Sequence, residues 1–525
     1  MSTANQYPHL SVIGIEPWGH ARPLCAFVSR VVLNRPVHIT LFTTPRACAR
    51  VKTEISRWFG PDDAERQSLI RVIALDNVAK GAGNPKEAFR IEQERYVVAL
   101  LDAHKQLVAE KPVTCFDTKV EFPALPAPKI VVLDLFIAGQ LVHGLHDVGD
   151  VKVVPFCPGM ASFGYMTFAP IERGGRAYVK AKVLEEAEKT GRSAVDVADD
   201  FAHTYTDDIV HMPGFPDMYH WEHDPQESGQ MSKGMLGGIW LSLFDAYDAC
   251  DGLIIASPEP YEPQTVAATK EWFAETSRPV WVVGPLATSA NTQEAIANEE
   301  AQSEKSADIK KFLDKTLKEH GEHSAIYISF GSKFWPFDTA RLEAFVDVLL
   351  EKKIPFILSC GSPTAKLSES FTDKVEQSEV GLLSRWSPQQ TILVHPALGW
   401  FVTHAGQGSV LESVQSGVPM ICWPFQADQP ANTVNLTANH DVAYELFEVR
   451  SGNGLKPLLR TGKAPVGTLD ALRAEVHEVL DKAFGDDGAK KRSNIKNLQQ
   501  KFDSAWDKGG SADIDMTRFL DSLTD

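Results

Sequence analysis

The sequence predicts an α/β protein with two doubly wound parallel sheets, and three observations carry that expectation. The first is length, since 525 residues exceed what one ordinary hydrophobic core organises. The second is alternation: short apolar runs are separated by segments of helical spacing almost throughout, the pattern of parallel sheets covered by helices on both faces. The third is a break. Residues 287–322 are polar, alanine-rich and acidic, beginning "ATSANTQEAIANEEAQSEKSADIKK", and have little to bury.

In the first half, "HLSVIGI", "VHITLFT", "IRVIAL", "PKIVVLD", "VKVVPF" and "GLIIAS" read as buried strands. In the second half, "SAIYISF", "PFILSC", "WFVT" and "PMICWP" do the same. Segments such as "PLCAFVSRVVL" and "DTARLEAFVDVLLEK" have the spacing of the covering helices. The expected organisation is a first domain over 1–286, a linker over 287–322, a second domain over 323–505, and an amphipathic tail over 506–525 packing back on the first domain. Residues 171–235 are charged and poor in strand signals, so they read as an insertion over one edge of the first domain.

Composition narrows the function classes. With 52 basic against 69 acidic residues the net charge is −17, which repels DNA, RNA and anionic lipid. Apolar residues at 43% and charged residues at 23% are ordinary for a globular chain. The seven scattered cysteines include no C-x-x-C, so neither a disulfide framework nor a zinc site is expected. The start of the chain has no basic segment before an apolar core, and no apolar run reaches the roughly 18 residues of a membrane helix. A cytoplasmic protein without a membrane segment, monomeric or weakly dimeric, is the expectation.

Two constellations carry chemistry. The first is "SVIGIEPWGHARPL": a strand, a turn with Gly19 and His20, and a helix whose first turn can hold Pro23. Ligands bind at the carboxyl ends of strands in open parallel sheets. His20 falls there, and so does Asp134, which closes "KIVVLD". A His and an Asp at neighbouring strand ends can form a base and its orienting partner; equally, each residue can simply cap a turn or helix.

The second is "WSPQQTILVHPALGWFVTHAGQGSVLESVQSGVPMICWPFQADQPAN", Trp386 to Asn432. Its centre, "HAGQGS", joins a strand to a helix through glycines, a place where backbone N–H groups and the helix dipole meet a phosphate. Gly406-x-Gly408 nearly begins a dinucleotide fingerprint, and Asp428 lies 20 residues past Gly408, but Leu411 stands where the third glycine belongs. An NAD-dependent oxidoreductase would need the fingerprint at the first strand–helix turn, which reads "EPWGHARP" with one glycine.

The whole run resembles the signature box of UDP-sugar-dependent glycosyltransferases, through W-x-P-Q, L-x-H, F-x-T-H-x-G, S-x-x-E, G-V-P and D-Q-x-x-N. Gly19-His20 with Pro23, Asp134, "PGFP" at 213–216, "VGPL" at 283–286 and "ISFGS" at 328–332 agree with it. The resemblance implies the GT-B fold, two Rossmann-like domains facing a central cleft, and inverting transfer of a hexose from a UDP-sugar. His20 would be the base and Asp134 its partner. Trp386 offers a flat face to uracil, Gln389 a donor and acceptor to uridine or ribose, and Glu412 a carboxylate to the ribose hydroxyls. His404, Gly406, Gly408 and Ser409, with Ser332, would surround the pyrophosphate, and Gly19 would bind the donor. Asp428 and Gln429 would meet the sugar, Gln429 suiting glucose.

One departure is visible, for Gln407 and Gly408 stand where plant members usually carry Trp and Asn, so backbone amides and Ser409 must hold more of the phosphate. No metal or cofactor is implied beyond the UDP-sugar. The acceptor is expected to be a small lipophilic hydroxyl compound (phenolic, terpenoid or sterol-like) touched by Phe215, Met218 and Trp335. A non-catalytic UDP-sugar-binding protein or an epimerase on the same fold is the alternative; the presence of both His20 and Asp134 argues against a dead enzyme. "DID" at 513–515 resembles a metal motif but reads as a solvated helix face, and His211, His220 and His223 match no zinc spacing.

Overall fold

A computed structural model of the chain describes residues 7–79, 83–227, 233–286 and 305–524. Two compact units emerge: Met1–Thr204 with Ser232–Leu286 and Ala505–Asp525, and Tyr205–Met231 with Ala287–Ser504.

The first unit holds a seven-stranded, all-parallel sheet: β1 His9–Ile13, β2 His38–Thr43, β3 Ile70–Ala74, β4 Ile130–Asp134, β5 Lys152–Cys157, β6 Leu253–Ile255 and β7 Val280–Val282. Their order is β7-β6-β5-β4-β1-β2-β3. Central strands such as β1 and β4 are buried along their whole length, which is why they read as continuous apolar runs. The chain winds outward from β1 through β2 and β3, then returns to lay β4 on the other side of β1. That reversal between β1 and β4 is the topological switch point, where open α/β sheets bind ligands.

The second unit repeats the plan with β8 Ala325–Ser329, β9 Phe356–Ser359, β10 Gly381–Ser384, β11 Leu398–Thr403, β12 Met420–Cys422 and β13 Ala443–Glu445. The order is β10-β9-β8-β11-β12-β13, all parallel. Its switch point lies between β8 and β11.

Four expectations change. The linker is not irregular throughout: Ser306–His320 is a helix of the second unit, because Ile309, Leu313 and Thr316 recur on one face and are buried. The rest of that segment, 287–304, lies outside the described residues. Second, the insertion is divided. Its first part, including helix Val179–Thr190, packs in the first unit, whereas Tyr205–Met231 belongs to the second. The reason is chemical. Glu222, fully buried, bonds Arg460, and Arg460 bonds Glu445, also buried; such a carboxylate is stable only where its cations are.

Third, "DID" is not a solvated face. It lies in helix Ser511–Asp521 of the first unit, where buried Asp515 accepts the Val282 N–H at 2.9 Å and pairs with Lys270 and Arg518. Finally, the helix after β1 starts at Trp18, which puts Pro23 in its second turn rather than its first. No helix among the described residues is long and apolar enough to cross a membrane.

Candidate active site

Each switch point carries a histidine. In the first unit His20 occupies the opening turn of helix Trp18–Asn34, directly after β1. Asp134 is the last residue of β4, which lies beside β1 with Ile13 opposite Leu133. His20 Nδ1 is 2.9 Å from Asp134 Oδ2 and 3.2 Å from Oδ1. Asp134 Oδ1 also accepts the Phe136 N–H at 2.9 Å, capping helix Leu135–Val148. Capping and orienting are therefore not alternatives; one carboxylate does both.

The carboxylate is 0% exposed while the histidine side chain keeps 19%. A fully buried carboxylate facing Nδ1 fixes the proton on that nitrogen, which leaves the Nε2 lone pair to act as a base. The Phe136 ring, centroid 4.4 Å away, packs against the imidazole. Gly19, one residue earlier, has open space where a Cβ would lie.

In the second unit His404 follows β11 directly, and helix Gln407–Gln415 begins three residues later with Gly406 as its N-cap. The neighbouring strand β8, with Ser329 opposite Thr403, runs into Phe330-Gly331-Ser332. The His404 ring lies between the two loops. A Cβ on Gly331 would stand 2.8 Å from His404 Cε1, and one on Gly406 would stand 2.6 Å from Nε2. Both glycines are thus required by the imidazole itself, and Gly331 also has φ +75°. Sequence reasoning named Ser332 and overlooked Gly331.

Burial pushes the His404 pKa down to about 4, so the ring is neutral at pH 7. Its Nδ1 faces the Thr403 hydroxyl at 3.4 Å, with no carboxylate in that role. Gly408 behaves differently from its two neighbours: a Cβ there would meet nothing within 4 Å. The missing Asn therefore reflects no steric demand. Ser409 is half-buried and Ser332 exposed, and the first amides of the helix point out of its N-terminus.

Around this centre the other predicted residues assemble. Trp386, just past β10, keeps 38% of its surface exposed despite its size. Glu412, inside the helix, accepts from Gln389 Nε2 at 2.6 Å and from Gln390 Nε2 at 3.1 Å. Gln390 was not foreseen; the doublet Gln389-Gln390 at the start of a helix was its only signal. Asp428 Oδ2 accepts the Gln407 N–H at 3.0 Å, which ties the strand β12 loop to the glycine loop. Gln429 is buried, and its side-chain oxygen accepts the N–H groups of Phe425 and Gln426. It therefore shapes the turn that presents Asp428.

Ala405 and Ala427, adjoining His404 and Asp428, have φ of +63° and +59°. Left-handed backbone at non-glycine residues is costly and gathers at functional sites.

Two acceptor expectations are corrected. Met218 and Trp335 are 1% and 4% exposed. Both are packing residues, Trp335 lying edge-on to Phe330 in the core of the second unit. Their apolar character is what marked them, and apolar character marks cores more often than binding surfaces. Phe215 is half-buried in the Tyr205–Met231 segment.

Comparison with known proteins places this arrangement. Residues 255–458 match the family model described as UDP-glucoronosyl and UDP-glucosyl transferase. UDP-glycosyltransferase eriJ of Hericium erinaceus is 31% identical, with both chains covered in full. UDP-glycosyltransferase 73C9 of Barbarea vulgaris is 24% identical, over 99% of this chain and 97% of its own. Among solved structures, UGT71G1 of Medicago truncatula, complexed with UDP-glucose, aligns over 100% of both chains at TM-score 0.66 and 19% identity. UGT2 of Phytolacca americana, complexed with UDP-2fluoro-glucose and pterostilbene, aligns over 99% of this chain and 100% of its own at TM-score 0.67 and 19% identity.

Proposed function

From the premise that this chain belongs to the UDP-glycosyltransferase family, with the GT-B fold, we propose that it transfers glucose from UDP-glucose, with inversion, to a hydroxyl of a small lipophilic acceptor. The observation that carries the chemistry is the His20–Asp134 pair at 2.9 Å, buried on the carboxylate side and open on the histidine side.

His20 Nε2 takes the acceptor's hydroxyl proton as its oxygen attacks the anomeric carbon. The bond from that carbon to the UDP oxygen breaks on the opposite face, and UDP leaves with the electron pair. Asp134 stabilises the imidazolium that forms, without accepting the proton. The leaving diphosphate meets the Gly408 and Ser409 amides at the start of helix Gln407–Gln415, the Ser409 hydroxyl and the His404 ring, fixed dipoles aimed at growing charge. Uracil stacks on Trp386, and the ribose hydroxyls replace the glutamine amides on Glu412 or share it with them. Asp428 binds the sugar, with Gln429 holding its turn.

These donors supply the electrostatic stabilisation that a divalent cation supplies elsewhere, so turnover is expected to continue in EDTA. Glucose as donor and an aromatic acceptor are supported by the plant structures complexed with UDP-glucose and with pterostilbene. The test is a mass-spectrometric acceptor screen of phenolics, terpenoids and sterols with UDP-glucose and rival UDP-sugars. A product heavier by one hexose, formed from UDP-glucose in preference to its rivals, is expected; transfer only from another UDP-sugar, or to none of these acceptors, contradicts the proposal.

A further inference from the structure

The segment Tyr205–Met231 belongs to the second unit although it precedes that unit's sheet in the sequence, and its Gln226 lies beside the turn that follows β12. Its grip is extensive. Tyr219 N–H, Leu459 N–H and Arg460 Nε all donate to Glu222, at 3.2, 2.8 and 3.1 Å. Burial alone would raise the Glu445 carboxyl, yet Arg460 and Arg450 hold it below its ordinary range, so this network is ionised. Farther along, Pro225 carbonyl accepts the Ser451 N–H at 3.0 Å and Glu227 Oε1 accepts the Asn453 N–H at 3.0 Å.

One bond is made by the Pro225 backbone and the other by the Glu227 side chain, so both neighbours of Gln226 are anchored, and the Gln226 side chain is buried. Its Nε2 donates to the Pro424 carbonyl at 2.6 Å, and its Oε1 faces Trp423 Nε1 at 3.5 Å. Trp423 is itself fully buried, where an indole N–H needs an acceptor. Gln226 thus secures residues 423 and 424, while Gln429 secures 425 and 426. Two glutamines, one from each of the two chain segments of this unit, define the turn that carries Ala427 at φ +59° and Asp428.

We propose that Gln226 is a positioning residue for the donor sugar: it sets the height of the Trp423–Asp428 turn and thereby where Asp428 presents its carboxylate. The inference rests on the proposed meeting of Asp428 with the sugar. It requires that Gln226 act more on the hexose half of the donor than on the nucleotide half: Trp386, Gln389 and Glu412 are reached by other elements, and the Asp428 bond to the Gln407 N–H is the link from this turn to the glycine loop.

The experiment uses the full chain with three substitutions. Gln226→Met removes both hydrogen bonds at similar volume, Gln226→Glu keeps an acceptor for Trp423 but loses the donor to Pro424, and Asp428→Asn tests the sugar contact itself. For each, KM and kcat with UDP-glucose are compared with the dissociation constant of UDP alone by calorimetry. Loss of the two hydrogen bonds predicts about a five- to tenfold rise in KM for Gln226→Met, a rise at least as large for Gln226→Glu, whose buried carboxylate would face the Pro424 carbonyl oxygen, and UDP binding changed by less than about twofold. UDP binding weakened in parallel, an unaltered KM, or failure of both Gln226 variants to fold would each make Gln226 merely structural and overturn the inference. Asp428→Asn separates the layers. If it raises KM while the Gln226 variants do not, only the positioning role falls; if it leaves KM unaltered, the sugar-contact reading falls and the inference with it.

Discussion

The two switch points are built on the same topology and place the same side chain in opposite surroundings. In each sheet the first strand is flanked by the second and the fourth, and a histidine stands at the carboxyl end beside the reversal. His20 sits beside a fully buried carboxylate and keeps 19% of its own side chain exposed. His404 sits between two glycines beside a hydroxyl, with its pKa pushed down to about 4 by burial. Topology supplies the location, but the neighbours decide whether an imidazole there accepts a proton or stays neutral and donates a hydrogen bond.

The largest expected effect breaks the first half of that comparison. His20→Ala should lower turnover by roughly 10²–10⁴, the range for a lost general base, measured with saturating UDP-glucose and any acceptor found in the screen. Activity within a few-fold of the natural protein would remove His20 from the mechanism.

The next separates the glycines around His404. Gly331→Ala places a methyl 2.8 Å from the imidazole at φ +75°, so it should destabilise the protein by about 2–4 kcal/mol. Gly408→Ala meets open space inside a helix and should stabilise by up to about 1 kcal/mol. Urea unfolding of the two variants checks both signs at once; equal effects would mean that His404 does not fix this loop.

A pH effect follows from His404 alone. The folded protein holds its pKa at about 4 and the unfolded chain at about 6.5. The unfolded state therefore binds the proton first, and stability is complete above pH 6.5 and falls as pH drops toward 4. At pH 4.5 the share due to this residue is about 2–3 kcal/mol. His404→Gln should lose that share, seen as a flatter slope of unfolding free energy against pH. His9 and His104, which burial lowers to about 3 and about 4 in the first unit, add slopes of the same sign that the substitution leaves in place.

Much of this was legible in the sequence because the signals are local. Strands buried on both faces read as apolar runs, and "HAGQGS" announced a strand–turn–helix by its glycines. His20 and Asp134 stood at strand ends, although only the fold brings residues 114 positions apart to 2.9 Å. What escaped depends on long-range partners. Nothing local marks Gln226, whose partners are nearly 200 residues away, or predicts that Glu222 would draw its segment into the second unit. Trp335 and Met218 looked like binding residues because apolarity alone cannot tell a lining from a core. The helix Ser306–His320 was hidden by its polar face, three buried positions being too few to stand out.

The most direct test is the dissociation constant of UDP for His20→Ala and His404→Gln, measured by calorimetry on the same preparations used for turnover. If one histidine serves the acceptor's proton and the other the diphosphate, His20→Ala binds UDP within about twofold of the natural protein although its turnover has collapsed, whereas His404→Gln binds UDP at least several-fold more weakly. UDP binding lost in His20→Ala, or retained in full by His404→Gln, would contradict that division of labour.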